Sequence, residues 1–218
     1  MTKPVIAIDG PAAAGKGTLA RRLAATLGLP YLDTGLLYRA VGRRVLDAGG
    51  DPGDRCAAAA AAQALRPSDL ERDDLRGPAA DGAAAAVAAI PEVRAALLAF
   101  QRGFAGEAGA VLDGRDIGTV VFPQAQVKLF VTASLAARAH RRWQELSARG
   151  LKVELGTVEA EMRARDAQDA ARAAAPLRAA PDAVQLDTTT LDPDGVFAIA
   201  MRIVQTRAHP RLPGERRP

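Results

Sequence analysis

Asparagine is absent from the 218-residue chain. That removes both the Asn-Lys-x-Asp guanine-reading motif of GTPases and the catalytic-loop asparagine of protein kinases. There is one cysteine, Cys56, so no internal disulfide forms, and a lone thiol points to a reducing, cytoplasmic setting. With no cysteine cluster and only His140 and His209, the chain lacks the ligands of a zinc site. Aromatic residues amount to 4%, with no interleaved basic–aromatic stretch on which bases could stack, which argues against nucleic-acid binding. No uncharged apolar run reaches the roughly 18–20 residues of a membrane helix. The opening residues 1–9 read as a strand rather than as a signal peptide. Lysine is scarce as well: the 29 basic residues are 25 Arg and 4 Lys.

What is present is the balance of a globular protein, 49% hydrophobic and 25% charged. The net charge of +4 suits an anionic substrate, although an alanine- and arginine-biased composition supplies part of it. Arginine is the side chain suited to a bidentate grip on phosphate or carboxylate.

Short apolar strands alternate with helical stretches, the pattern of an α/β fold with a parallel sheet. Strands are predicted at residues 4–9, 30–32, 110–113, 127–131 and 184–187. Leu19, Leu23 and Leu27 make an i, i+4, i+8 stripe on the first helix. A core of residues 1–41, 110–133 and 174–208 is expected, in one domain spanning 1–208. The excursion at about 42–109 contains an alanine-rich helix over 56–65 and a polar stretch over 66–82 with no readable period. A further helical stretch over 83–104 is interrupted by Pro91. A second excursion, about 134–173, holds helices over 134–149 and 157–173. Asp192-Pro193 caps a closing helix to about residue 205, and the basic, proline-containing tail 209–218 is expected to be disordered.

Three segments carry the chemistry. Gly10-Pro11-Ala12-Ala13-Ala14-Gly15-Lys16-Gly17-Thr18 lies between the first strand and the first helix, the context a phosphate-binding loop requires. Glycines let phosphate approach the backbone, the helix N-terminus favours the anion, and Lys16 would reach the β/γ-phosphates. Where such loops place a magnesium-holding Ser or Thr directly after the lysine, this chain has Gly17. Next, Leu32-Asp33-Thr34-Gly35-Leu36-Leu37-Tyr38-Arg39 puts a hydroxyl and an arginine at the carboxyl end of a strand, where open α/β sheets bind ligands. Then Asp113-Gly114-Arg115-Asp116-Ile117-Gly118-Thr119 presents an arginine and two carboxylates at the same sheet edge; the plainer alternative is an Asp–Arg pair that only neutralises itself.

These segments, in this order and spacing, resemble the bacterial cytidylate kinases, nucleoside monophosphate kinases of the P-loop class. The resemblance extends through Arg138-Ala139-His140-Arg141-Arg142, Arg165-Asp166-Ala167-Gln168-Asp169-Ala170-Ala171-Arg172 and Leu186-Asp187-Thr188-Thr189. It covers nearly the whole chain except about residues 50–82 and the tail. It implies a P-loop kinase fold: a five-stranded parallel sheet flanked by helices, an NMP-binding insert and a helical lid. It also implies transfer of the ATP γ-phosphoryl group to CMP or dCMP by a cytoplasmic monomer, with no nucleic-acid or membrane partner. Mg²⁺ would be held through phosphates and water, with no direct protein ligand and Thr18 near the phosphates.

On the resemblance, cytosine recognition falls to Thr34, Arg94, Asp116 and Arg172, sugar contacts to Arg165 and Asp169, and phosphate contacts to Arg39 and Arg115. Lys16, Arg142, Arg165 and Arg172 would serve the transferred phosphoryl. Residues 165, 169 and 172, at i, i+4 and i+7, share one helix face; Arg138, Arg142 and Arg149 recur on another. Two departures from the family stand out. The 66–82 stretch is terser than the usual insert, and the family's sugar-contacting serine falls at Ala85. Rival readings are a P-loop kinase for another small acceptor (AMP, UMP, shikimate or dephospho-coenzyme A), a basic nucleic-acid binder, or an inactive relative.

Overall fold

The computed structural model describes residues 3–172 and 175–208. Ala173, the expected last residue of the lid helix, and the tail from His209 lie outside them. The strands are β1 (Val5–Asp9), β2 (Tyr31–Asp33), β3 (Ala110–Gly114), β4 (Val127–Thr132) and β5 (Val184–Asp187), in the sheet order β2-β3-β1-β4-β5. The β1–β3, β1–β4 and β4–β5 pairs are parallel, with Ile8 opposite Asp113 and Leu129. All five agree with the sequence expectation to within one residue at each end. Strands covered on both faces read as continuous apolar runs, and β3 is buried along its whole length.

The chain divides into two compact units, one of residues up to Tyr31 and from Glu107 onward, the other Leu32–Gly106. The first unit holds α1 (Lys16–Leu27), α6 (Leu135–Ala148), α7 (Leu155–Ala171) and α8 (Pro193–Ala208). The second holds α2 (Thr34–Asp47), α3 (Arg55–Gln63), α4 (Pro78–Ala88) and α5 (Pro91–Ala105).

In the first unit Ile6, Ile8, Leu23, Val111, Leu129, Val131 and Leu186 form one core with the buried faces of α1 and α8. A smaller cluster joins Ala139 and Leu146 of α6 to Val158 and Met162 of α7. It takes in Trp143, whose indole Nε1 donates to the carbonyl of Val153 at 3.0 Å, and Ala12 and Ala13 of the phosphate loop. Ser134 caps α6, its hydroxyl accepting from the Ala137 N–H.

The second unit is the part the sequence hides. Its helix α4 begins at Pro78, five residues before the expected start, because proline fits the first helical position and the preceding Gly77 takes φ +128°. It ends at Ala88, and α5 restarts on Pro91, the two axes bending by 99°. Gly42 lets α2 and α4 pack closely: a β-carbon there would lie 2.8 Å from that of Ala83. The aperiodic polar stretch is pinned by charge. Both carboxylate oxygens of Asp69 accept from Arg44, at 3.2 and 3.0 Å, and Arg72 bridges Asp47 and Asp74. Leu75, 1% exposed, anchors it in the apolar interior. Among the described residues no single helix is long and apolar enough to cross a membrane.

Candidate active site

The phosphate loop leaves β1 at Asp9 and enters α1 at Lys16. Gly10 has φ +146°, and a β-carbon on it would stand 1.9 Å from the carbonyl oxygen of Val131, so only glycine lets the loop turn this closely over β4. Gly15, at φ +92°, occupies the helix N-cap. The loop's own carbonyls are held by side chains: Pro11 by the Lys16 Nζ at 2.7 Å, Ala14 by the Thr188 hydroxyl at 3.0 Å, and Ala12 by an Arg138 Nη at 3.4 Å. Arg141 fixes Thr188 in turn through its hydroxyl and its carbonyl. Engaging the oxygens this way favours presenting amides to an anion.

Beside the loop, the edge of β3 carries Asp113, which accepts from the Tyr31 hydroxyl at 3.0 Å and sits next to Gly17. Asp116 follows, 6% exposed, at the start of a single π-helical turn, Ile117–Val121, in which the Phe122 N–H donates to the Ile117 carbonyl at 2.7 Å. Nothing in the sequence signalled that turn. Its N–H groups at Ile117 and Gly118 each donate to a different oxygen of Asp9, both at 2.8 Å.

Burial pushes the Asp9 carboxyl up from 3.8 to about 6; the two backbone donors oppose the rise, as does Lys16, and the charge of Asp116 adds to it. Holding Asp9 ionised therefore costs folding about 3 kcal/mol at neutral pH. The contribution to stability is complete below the unfolded value of 3.8 and is lost as pH rises through about 6. The Asp9→Asn variant is accordingly expected to gain about 3 kcal/mol on the wild type between about pH 4 and pH 7.5. Urea unfolding of both proteins at each pH measures this, and a pH-independent difference would show that Asp9 titrates like an ordinary carboxylate.

Helices α6 and α7 bring arginines and carboxylates together in this unit. Asp169, 1% exposed, uses one oxygen on the Arg115 Nε at 2.9 Å and the other on an Arg172 Nη at 2.5 Å. Burial pushes its carboxyl up, but the charges of Arg115, Arg172 and Arg165 together hold it below the usual range. The expected sharing of a face by positions 165, 169 and 172 is thus realised as one charge cluster. Arg172 also keeps its Nε buried with no hydrogen-bond partner among the described residues.

The second arginine stripe does not act as one surface. Arg138 is buried and paired with both oxygens of Asp166, at 3.2 and 2.7 Å, so it ties α7 to the loop carbonyl of Ala12. Arg142 lies one turn on, with Glu145 accepting at 2.9 Å. Sequence reasoning gave no role to Asp9, and quoted Asp166 and Thr188 only as members of longer motifs. A carboxylate directly before the loop's first glycine was the available signal for Asp9.

In the other unit Thr34 is buried at the start of α2. Arg39 donates through Nε to Asp81 of α4 at 3.0 Å, and the Arg94 guanidinium lies 5.8 Å from the centroid of the Tyr38 ring. Ala85 is half-buried on α4. Among the described residues no group of three or more His, Cys, Asp or Glu could hold a metal ion.

The profile of one family, "Cytidylate kinase", matches residues 6–206. A curated cytidylate kinase from Granulibacter bethesdensis is 65% identical over 203 residues, which cover 93% of this chain and 97% of that one. Another from Acidiphilium cryptum is 63% identical over 205 residues, 94% and 97% of the two chains. Among solved structures, an uncharacterized protein from Eubacterium ventriosum shares the fold at a TM-score of 0.54 and 13% identity, over 94% of this chain and 100% of that one. A phosphate loop beside a carboxylate–arginine sheet edge, and matches that run almost the full length of both chains, lead to one conclusion: this chain belongs to the cytidylate kinase family.

Proposed function

We propose that the chain transfers the γ-phosphoryl group of ATP to the 5′-phosphate of CMP or dCMP, giving ADP and CDP or dCDP. The observation that carries this is the phosphate loop lying in one unit with the sheet edge of Asp113 and Asp116 and with the cluster of Arg115, Asp169 and Arg172. An oxygen of the acceptor phosphate attacks the γ-phosphorus; the bond to the β–γ bridging oxygen breaks, and ADP leaves with that electron pair. The acceptor's second pKa is about 6, so at neutral pH it is largely ionised and no general base is required. The protein's work is alignment and neutralisation of charge.

Lys16 meets the β/γ-phosphates over the backbone N–H groups of residues 12–18, while Arg142, Arg165 and Arg172 supply positive charge to the transferred group. Asp116 accepts from the cytosine N4 amino group, an acceptor that uracil's O4 cannot use. By the family resemblance Thr34, Arg94 and Arg172 are assigned to the base, Asp169 and Arg165 to the sugar, and Arg39 and Arg115 to the acceptor phosphate. Mg²⁺, carried by the nucleotide phosphates, adds further positive charge; hard oxygen donors suit it, and Asp113, beside Gly17, would hold its waters. The enzyme acts as a monomer in the cytoplasm, a reading that suits the exposed, unpaired Cys56.

Steady-state ADP formation with CMP, dCMP, UMP, AMP and no acceptor tests the assignment. Turnover with CMP or dCMP should far exceed the rest, and their ratio reads out the effect of Ala85. In Asp116→Ala the preference for CMP over UMP is expected to fall by about 10- to 100-fold, since a site built around one hydrogen bond loses that much when it goes. A preference that survives would remove Asp116 from base recognition.

A further inference from the structure

Asp9 takes no part in the chemistry above, yet it is a buried carboxylate at the junction of the two loops that do. It ends β1, its backbone continues directly into Gly10 of the phosphate loop, and it lies level with Gly114 on β3. Its two oxygens are spent on the N–H groups of Ile117 and Gly118, the two residues that follow Asp116. The fit is tight, since a β-carbon on Gly118 would come within 3.3 Å of the Asp9 Oδ2 and 3.2 Å of the Lys128 Cδ. The charges that face Asp9 are those of Asp116 and Lys16.

A π turn is a rare and weakly self-sustaining piece of backbone, and its first N–H groups need an outside acceptor. A two-oxygen acceptor spanning consecutive amides fixes the orientation of the peptide between them, and with it the direction in which the preceding side chain leaves the chain. A neutral carboxamide in place of this carboxylate would offer one oxygen where two donors wait. We infer that Asp9 is a positioning residue for base recognition: by clamping the amides of Ile117 and Gly118 it sets the aim of Asp116, and it keys that aim to the phosphate loop it is joined to. This rests on the assignment of Asp116 to the cytosine amino group.

Kinetics of Asp9→Asn beside Asp116→Ala separate the two claims. Asp9→Asn is expected to raise KM for CMP about 10-fold, leave KM for ATP within about twofold, and lower the CMP-over-UMP preference by about 10-fold, the loss due to one misaligned charge-assisted bond. Preference retained in Asp9→Asn but lost in Asp116→Ala overturns the clamp and leaves the base assignment standing. Retained in both, it overturns the base assignment and the clamp falls with it. Equal rises in both KM values also overturn the clamp, because they mark a damaged phosphate loop. If Asp9→Asn does not fold, Gly118→Ala crowds the same contact and is expected to show the same loss of preference. Independently, NMR of the wild-type protein should show the Ile117 and Gly118 amide protons moving together through a midpoint near pH 6, the value to which burial raises Asp9. Two amides that ignore that titration would overturn the contact itself.

Discussion

Replacing Lys16 with methionine is expected to lower kcat by about 10³-fold, the cost of removing one preorganised charge from a site where negative charge moves. Lys16 is only 6% exposed and is already anchored on the carbonyl of Pro11, so its ammonium is held over the loop without a search through rotamers. The same anchoring makes the fold tolerant of the change: one backbone carbonyl loses a partner, worth about 1 kcal/mol. Steady-state rates with saturating Mg-ATP and CMP, read beside a melting curve, separate the two effects. A kcat within about tenfold of wild type would mean the lid arginines alone neutralise the transferred group.

The second large effect is structural. In Gly10→Ala the added methyl would lie 1.9 Å from the carbonyl oxygen of Val131 and 2.9 Å from its carbon, both backbone atoms of β4 that no side-chain rotation can relieve. The positive φ of +146° adds strain for any residue with a β-carbon. Stability should fall by about 4 kcal/mol, or about 10 °C in Tm, for a chain of this size. ATP affinity should drop with it, because the loop can escape β4 only by abandoning its cradle. Thermal unfolding and nucleotide titration of the variant check both. A normal melting temperature would show that the loop has another conformation of equal energy.

Some of this was legible in the residues and some was not. The sheet was, because β1 and β3 are apolar runs that end in Asp9 and Asp113 and start after Pro4 and Gly109, and β4 is apolar but for Lys128 and Thr132. The charge cluster around Asp169 was too, since helical spacing alone puts 165, 169 and 172 together. The stretch from 66 to 76 was not: its order comes from Arg44 on Asp69 and Arg72 on Asp47, each pair 25 residues apart along the chain, and ion pairs of that kind leave no period to read. The start of α4 was missed because Pro78 looks like a breaker unless it is recognised as a first helical residue. Arg138 shares its helical spacing with Arg142, yet its guanidinium is paired with Asp166; spacing cannot tell an arginine facing solvent from one buried against a carboxylate. The clamp by Asp9 was hidden for the same reason, as it joins residues 108 and 109 positions apart.

The chain has one tryptophan, and the fold has put it in the same small apolar cluster as Ala12 and Ala13 of the phosphate loop. Its indole is pinned to the backbone at Val153, between α6 and α7. Tryptophan emission from this protein therefore comes from a single address, where α6 and α7 meet the phosphate loop. Occupancy by ATP can be followed there optically, in the unmodified protein and in every variant named above, without attaching a dye.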